Sequence, residues 1–166
     1  MENKPNRVYH TFKPIIYSDT KILILGSIPS ILSRKQDFYY MNKTNRFYKV
    51  MSIIFNDLDF LSIDINVKIN ALKRHQLGLY DVISECDIIN SSDATISNIK
   101  VNDLDLLIKK YNIRYVVLNG KKAFELFNKY FSNLNVNVLS MPSTSAANAS
   151  YSLEKLINHW KELSNL

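Results

Sequence analysis

The sequence contains few of the residues from which disulfides and metal sites are built. Its single cysteine, Cys86, cannot form an internal disulfide, and it cannot supply a four-cysteine zinc or iron–sulfur site. The three histidines, His10, His75 and His159, are far apart in the chain and lack the paired spacing typical of a metal site. We therefore expect a reduced protein that uses no metal and no cofactor.

Long apolar segments are missing too. No run of eighteen apolar residues occurs, so we expect no membrane span, and residues 1–5 lack the apolar core of a signal peptide. The length of 166 residues and the hydrophobic fraction of 46% are typical of one globular domain. We expect a cytoplasmic monomer with a single domain over residues 1–166, which buries roughly two thirds of the surface of its unfolded chain.

Positive charge is what the sequence has in excess. It carries 21 lysines and arginines against 15 acidic residues, a net charge of +6, and its pI is near 9.3. Such a balance makes nucleic acid a sensible partner, although many basic proteins bind none.

Apolar segments alternate between strand-like and helix-like patterns. The run Lys21–Leu25 ends at Gly26 and is typical of a strand buried on both faces. The alternation predicts an α/β fold, a three-layer α/β/α sandwich with a central, mainly parallel sheet of about four strands. Leu79–Ile83 fits either a strand or a short helix. Further strands are predicted over Arg114–Leu118 and Val136–Leu139, and helices over Asn45–Phe55, Leu104–Tyr111, 123–131 and 153–163.

Two loops of small residues follow predicted strands, and ligands of such folds bind beyond the carboxyl ends of the strands. The first loop is Gly26-Ser27-Ile28-Pro29-Ser30, and the late loop begins with Met141-Pro142-Ser143-Thr144-Ser145. A glycine directly after a strand lets the backbone turn sharply and bring its amides near a ligand. The alternative is a plain turn into a helix with Ser30 as N-cap.

The residues between the loops suit a flat base. At least one ring of Phe38, Tyr39 and Tyr40 is expected to face solvent or a ligand, where stacking on a base contributes about 1–3 kcal/mol; the alternative is that these rings belong to the core. Asn45 either caps a helix by accepting from the Tyr48 amide, or uses both ends of its own amide at a base edge or on a water.

Two other polar patterns are less specific. Asn119-Gly120-Lys121-Lys122 is not a P-loop, because Tyr115 stands where that motif needs a glycine, and we reject a nucleotide triphosphatase. Its lysines either contact a DNA backbone or begin a solvated helix. Asp81 and Asp93 are the most suggestive carboxylates, but neither belongs to a recognisable acid–base pair.

Taken in order along nearly the whole chain, these features resemble the uracil-DNA glycosylase superfamily, most closely its hypoxanthine (deoxyinosine) DNA glycosylase branch. The motifs that carry the resemblance are His10-Thr11-Phe12, Pro14-Ile15-Ile16, Leu25–Ser30, Ser33, Tyr39-Tyr40, Asn45–Tyr48, Gly78–Val82, Ser92-Asp93, Asn119–Ala123 and Pro142–Ser145 running on to Ala147-Asn148-Ala149.

The resemblance implies a monofunctional enzyme that flips a deaminated base out of DNA and hydrolyses its N-glycosidic bond. It implies Asn45 as the catalytic residue, which either positions water or stabilises the leaving base. The implied base pocket consists of Gly26, Ser27, Ile28, Pro29, Ser30, Tyr39, Tyr40, Phe47 and Asn119, with Tyr40, and Tyr39 beside it, stacking on the base. The implied DNA contacts are Lys121, Pro142, Ser143, Thr144 and Ser145, the last three pressing into the vacated helix.

The chain also departs from the family pattern. Tyrosine replaces the usual tryptophan at Tyr48 and Tyr80, Ala146 replaces a proline in the late loop, and the pattern Gly-Ser-Leu-Asp becomes Asn90-Ser91-Ser92-Asp93. The first loop lacks the Asp and Tyr, and the late loop the His, of the classical uracil enzymes. This absence of the usual water-activating group points to the branch in which Asn45 is catalytic.

Two other classes of function remain open at this point. One is a non-catalytic binder of DNA with modified or flipped bases, and the other is a hydrolase of free nucleosides, which would need no basic surface. The choice among hypoxanthine, xanthine and uracil is also open.

Overall fold

A computed structural model describes residues 4–89 and 92–166. Its strands are β1 (Asn6–Tyr9), β2 (Ile22–Gly26), β3 (Leu77–Asp81), β4 (Ile83–Ile88), β5 (Ser97–Val101), β6 (Tyr115–Asn119) and β7 (Asn137–Met141). Its α-helices are α1 (Ile31–Gln36), α2 (Phe47–Ile54), α3 (Ile65–Arg74), α4 (Leu104–Lys110), α5 (Lys121–Phe131) and α6 (Leu153–Trp160), with 3₁₀ turns at Leu58–Leu61, Asp93–Thr95 and Lys161–Asn165. None of the helices in these ranges is long and apolar enough to cross a membrane.

The main sheet has four parallel strands in the order β3-β2-β6-β7. Alternate residues of β2 serve opposite faces: Ile22 and Ile24 belong to one apolar cluster, whereas Leu23 and Leu25 belong to the other. Helices α2, α3 and α6 cover the first face, and α4 and α5 cover the second. The predicted sandwich with a central four-stranded parallel sheet is therefore confirmed.

A second sheet of three antiparallel strands, in the order β1-β4-β5, was not predicted. Its strands carry charged side chains, such as Arg7, which forms ion pairs with Glu85 and Asp87, and these charges hide the apolar alternation of a strand. The ambiguous segment Leu79–Ile83 resolves into the end of β3, a bend at Val82 and the start of β4. Helix α3 was also not predicted, because it is largely polar, whereas α1 is the helix that the alternative interpretation of Ser30 as N-cap implied.

The fold brings the ends of β2, β3, β6 and β7 to one edge of the main sheet. The parallel register places Gly26 beside Asp81, and Asn119 beside Met141. The first loop leaves β2 and the late loop leaves β7, so both open at this edge, as expected for a doubly covered parallel sheet.

Candidate active site

A cleft of about 530 Å³ lies between the first and the late loop, at the carboxyl ends of the strands. This volume is within the usual range for sites that bind small organic groups. Twelve of the predicted site residues line it, together with Arg34, Asn42, Asp81 and Asp93. The twelve are Gly26, Ser27, Ile28, Pro29, Ser30, Tyr39, Tyr40, Asn45, Asn119, Ser143, Thr144 and Ser145.

The first loop is held by its own short-range bonds. Ser30 caps α1, since its Oγ accepts from the Ser33 amide at 3.1 Å, so the N-cap interpretation is confirmed alongside its place in the cleft wall. Arg34 Nη1 donates to the carbonyl of Pro29 at 2.5 Å. At Gly26 a Cβ would lie 2.5 Å from Asp81 Oδ1, so only glycine leaves room for that carboxylate.

Asn45 has one end of its amide fixed and the other end free. Its Oδ1 accepts from the Phe47 amide at 2.9 Å and from Thr144 Oγ1 at 2.9 Å. The predicted N-cap is therefore wrong: Arg46 is the N-cap of α2 and makes no side-chain cap bond, whereas Asn45 forms an Asx turn with the Phe47 amide just before the helix. Nothing in the described residues accepts a hydrogen bond from Nδ2, and Asn45 lines the cleft. This turn and an NH₂ group available to a ligand are compatible, because they use opposite ends of the amide.

Thr144 orients Asn45 from below the cleft surface. Its backbone amide donates to Asn119 Oδ1 at 3.0 Å, and Asn119 Nδ2 donates to Thr144 Oγ1 at 3.0 Å. The single hydroxyl proton of Thr144 is then directed to Asn45 Oδ1, which fixes that atom as an acceptor. The prediction that Thr144 presses into DNA is wrong, since Thr144 has 0% exposure. Asn119 borders the cleft, but much of its amide is used to hold Thr144.

Arg46 anchors the late loop to the start of α2. Its guanidinium donates to the carbonyls of Ser145 at 2.8 Å, Asn148 at 3.2 Å and Thr144 at 3.3 Å, and also to that of Tyr151. Its backbone amide donates to the Thr144 carbonyl at 3.0 Å. Sequence reasoning gave Arg46 no role, because its partners are main-chain carbonyls about a hundred residues away and carry no sequence signal.

The aromatic residues divide between core and cleft. Phe47 is fully buried and stacks on Tyr40 at 4.1 Å between ring centroids, so the prediction that Phe47 lines the base pocket is wrong: the start of α2 turns it inward against Trp160. Tyr39 is only 2% exposed and donates its hydroxyl to the Lys13 carbonyl at 2.9 Å. We therefore withdraw Tyr39 as a stacking platform, because its ring is packed in the core against Phe12.

Tyr40 has an unusual backbone and an unpaired hydroxyl. Its φ of 57° places it in the left-handed region, which is uncommon for a bulky residue. Its hydroxyl is buried and has no hydrogen-bond partner among the described residues. Burial raises the pKa of Tyr40 well above its ordinary value, the nearby Asp81 carboxylate raises this pKa further, and the Asn119 side chain beside the hydroxyl lowers it in part. The hydroxyl therefore remains a protonated donor at neutral pH.

Asp81 forms a buried pair that the sequence did not reveal. His10 Nε2 lies 2.9 Å from Asp81 Oδ2, and the two side chains are 2% and 5% exposed. The histidine comes from the segment after β1 and the aspartate from the end of β3, 71 residues apart, so no local pattern could show the pairing.

The remaining predicted residues lie beside the cleft. A second hollow of about 760 Å³ includes Lys121, Lys122 and Pro142, and it shares Ser143 and Ser145 with the cleft. Lys121 is 89% exposed, and its Nζ lies 3.7 Å from the Glu125 carboxylate. These positions leave contact with DNA as a prediction.

Gly120 and Asp93 both line the second hollow, beside the late loop. Gly120 has a φ of 100°, and a Cβ there would lie 2.9 Å from the Cβ of Ser143, so the late loop packs directly on the glycine. Asp93 borders both cavities, whereas Asn90 and Ser91 of its motif lie outside the described residues.

Comparisons with known proteins agree on one family. The sequence profile of the Uracil DNA glycosylase superfamily matches residues 14–164. Hypoxanthine DNA glycosylase from Methanosarcina barkeri is 34% identical over 115 residues, which cover 69% of this chain and 72% of that protein. Hypoxanthine DNA glycosylase from Methanosarcina acetivorans is 29% identical over 142 residues, 85% and 89% of the two chains. The NMR structure of a candidate uracil DNA glycosylase from Methanosarcina acetivorans superposes with a TM-score of 0.77, at 25% identity over 97% of this chain and 98% of that one.

Replacing Arg46 by methionine is expected to lower the free energy of unfolding by about 2–4 kcal/mol, because the late-loop carbonyls lose a charged donor. Chemical denaturation measures this change. Lys49→Met, on an exposed position of the same helix, is the control and should alter stability little. Equal stability of the Arg46 variant and the wild type would show that the loop is held by other contacts.

Thr144→Val keeps the shape of the side chain but removes the hydroxyl that links Asn119 to Asn45. We expect it to lower the unfolding free energy by about 1–3 kcal/mol and to change the NMR signals of the Asn45 side-chain NH₂ group. Thr144→Ser retains the hydroxyl and should preserve those signals. If valine leaves the Asn45 signals unchanged, Thr144 does not orient the amide.

Proposed function

Because the chain belongs to the uracil DNA glycosylase superfamily, we propose that it is a monofunctional DNA glycosylase of base-excision repair. It flips a deaminated base out of DNA and hydrolyses the N-glycosidic bond to the sugar. Hypoxanthine is the proposed preferred base, with xanthine and uracil as alternatives, since two similar proteins are named hypoxanthine DNA glycosylases. The observation that carries the proposal is the Asn45 amide, held by its oxygen with its NH₂ group free at a cleft.

Cleavage of the N-glycosidic bond leaves the bonding electron pair on the base. The base therefore gains negative charge as the bond breaks, and a donor fixed beside it stabilises the transition state more than the ground state. An amide is neither a strong acid nor a strong base at neutral pH, so Asn45 acts as a hydrogen-bond donor. One preorganised donor of this kind contributes about 3–4 kcal/mol.

The occupied Oδ1 favours the leaving base over water as the partner of Asn45. A water that is to attack the sugar needs an acceptor for its proton, and Oδ1 already accepts two hydrogen bonds from Phe47 and Thr144. Nδ2 can only donate. Stabilisation of the departing base is therefore the role that the fixed orientation supports.

Delivery of the base requires DNA to bind across the sheet edge. Extrusion of a base costs a few kcal/mol, and the cost is smallest for a mispaired base such as deaminated adenine. Lys121 and Lys122 beside the cleft, within a chain of net charge +6, suit the DNA phosphates. Ser143 and Ser145 are available at the cleft wall to occupy the space that the base leaves.

Single-turnover assays on duplexes with one deoxyinosine, deoxyxanthosine or deoxyuridine test the proposal, with alkaline cleavage of the abasic product as readout. We expect excision of hypoxanthine to be fastest. Faster excision of uracil would overturn the proposed substrate within the same family. Salt-dependent DNA binding with no excision of any base would instead support a binding module, and cleavage of free nucleosides without DNA affinity would support a nucleoside hydrolase.

Two substitutions of Asn45 separate its possible roles. Asn45→Ala removes both ends of the amide, and we expect excision to slow by about a hundredfold or more while DNA binding persists. Asn45→Asp keeps an oxygen for Phe47 and Thr144 but removes the NH₂ donor. We expect it to excise the base as slowly as Asn45→Ala does, but to be more stable than Asn45→Ala. An active aspartate variant beside an inactive alanine variant would assign Asn45 to the water. Near-normal turnover of the alanine variant would end the assignment of Asn45 as catalytic.

A further inference from the structure

The floor of the cleft carries a carboxylate oxygen, which only accepts hydrogen bonds, and a tyrosine hydroxyl, which can also donate one. Both lie near the position that a Cβ of Gly26 would occupy, Asp81 Oδ1 at 2.5 Å from it and Tyr40 Oη at 3.6 Å. No donor to Asp81 Oδ1 and no partner of Tyr40 Oη is found in the described part of the chain. A buried polar group without a partner is costly unless a ligand supplies one.

His10 fixes which atom Asp81 presents. The other carboxylate oxygen, Oδ2, is paired with His10 Nε2, and the imidazole is enclosed by the rings of Phe12, Tyr39 and Tyr80. A carboxylate can only accept hydrogen bonds, so His10 donates to it and Oδ1 remains as an acceptor for the cleft. Tyr40 stacks against Phe47, which holds its hydroxyl at the same floor as a donor.

An acceptor next to a donor can pair with the edge of a lactam. Deamination converts the ring-N=C–NH₂ edge of adenine or cytosine into a lactam, with a ring N–H beside a C=O. The N–H suits Asp81 Oδ1, and the C=O suits the Tyr40 hydroxyl. Adenine and cytosine present the reverse pattern, in which an unprotonated ring nitrogen would face the carboxylate.

On the basis of the proposed function, we propose that Asp81 and Tyr40 are the specificity-determining pair that recognises the lactam edge of a flipped deaminated base. Asp81 accepts from the ring N–H, and Tyr40 donates to the carbonyl oxygen. In the same orientation a normal adenine or cytosine is disfavoured, because the lone pair of its unprotonated ring nitrogen meets the Asp81 carboxylate. A site built around such bonds rejects analogues that leave its polar groups unpaired.

Binding to non-cleavable DNA tests the pair directly. Three duplexes carry hypoxanthine, 1-methylhypoxanthine or unsubstituted purine on a 2′-fluorinated sugar opposite thymine. The methyl group removes the ring N–H and adds bulk in its place, whereas purine lacks both the N–H and the carbonyl and adds no bulk. We expect the unmodified protein to bind hypoxanthine at least about tenfold more tightly than either analogue.

Two variants assign the contacts to residues. Asp81→Asn removes the carboxylate that accepts from the ring N–H, so the preference for hypoxanthine over purine should fall about tenfold or more. Tyr40→Phe should weaken that preference while 1-methylhypoxanthine is still rejected. Tyr48→Phe is the matched control, because its buried hydroxyl is already bonded to the Tyr39 carbonyl at 2.7 Å and should not affect the preference.

The outcomes separate this proposal from the proposed function. Equal affinity of the unmodified protein for all three duplexes would overturn the lactam pair, and that measurement needs no variant to fold. Uniform weakening of all three by both Asp81→Asn and Tyr40→Phe would also overturn it, since that result indicates a structural role. Absence of excision from an ordinary deoxyinosine duplex, with the binding preference intact, would instead refute the glycosylase and leave the lactam pair standing.

Discussion

The arrangement of the cleft depends on the contact between Arg46 and the late loop. One guanidinium donates to four main-chain carbonyls of a segment that has no regular secondary structure over residues 142–151. Arginine suits this task because its planar group presents five donors in a fixed geometry and stays charged. Other groups bind the main chain of this loop as well, such as Asn119 and Trp160, and the guanidinium holds the loop at one distance from the start of α2.

The distance between the late loop and α2 sets the orientation of the Asn45 side chain. Arg46 fixes the backbone of Thr144, Asn119 fixes its hydroxyl, and the hydroxyl fixes Asn45. Each bond in this series has a defined donor, so the orientation of the Asn45 amide follows from the late loop together with the Phe47 amide. The NH₂ group then needs no rearrangement to meet a base, which is the condition under which a donor contributes most to catalysis.

The opposite side of the cleft depends on the close approach of the Asp81 carboxylate to the backbone of Gly26. Gly26 lets the Asp81 carboxylate reach the floor from the neighbouring strand, and His10 occupies its other oxygen. Both sides therefore follow one rule: a buried residue binds one end of a polar group, and the other end is left for a ligand. The cleft therefore contains the Asn45 NH₂ group, which suits a departing base, and also Asp81 and Tyr40, which suit a lactam.

The sequence by itself determined the layers, the loops and the residue types at the cleft. The run Lys21–Leu25 is apolar on both faces, which only a doubly covered strand satisfies, and short motifs mark both loops. Only the tertiary structure decided direction and burial: that Phe47 and Thr144 face inward, that Asn45 presents its nitrogen, and that His10 pairs with Asp81. The physical reason is that local patterns depend on residues within a few positions of each other, whereas these orientations depend on hydrogen bonds between segments 71 and 99 residues apart.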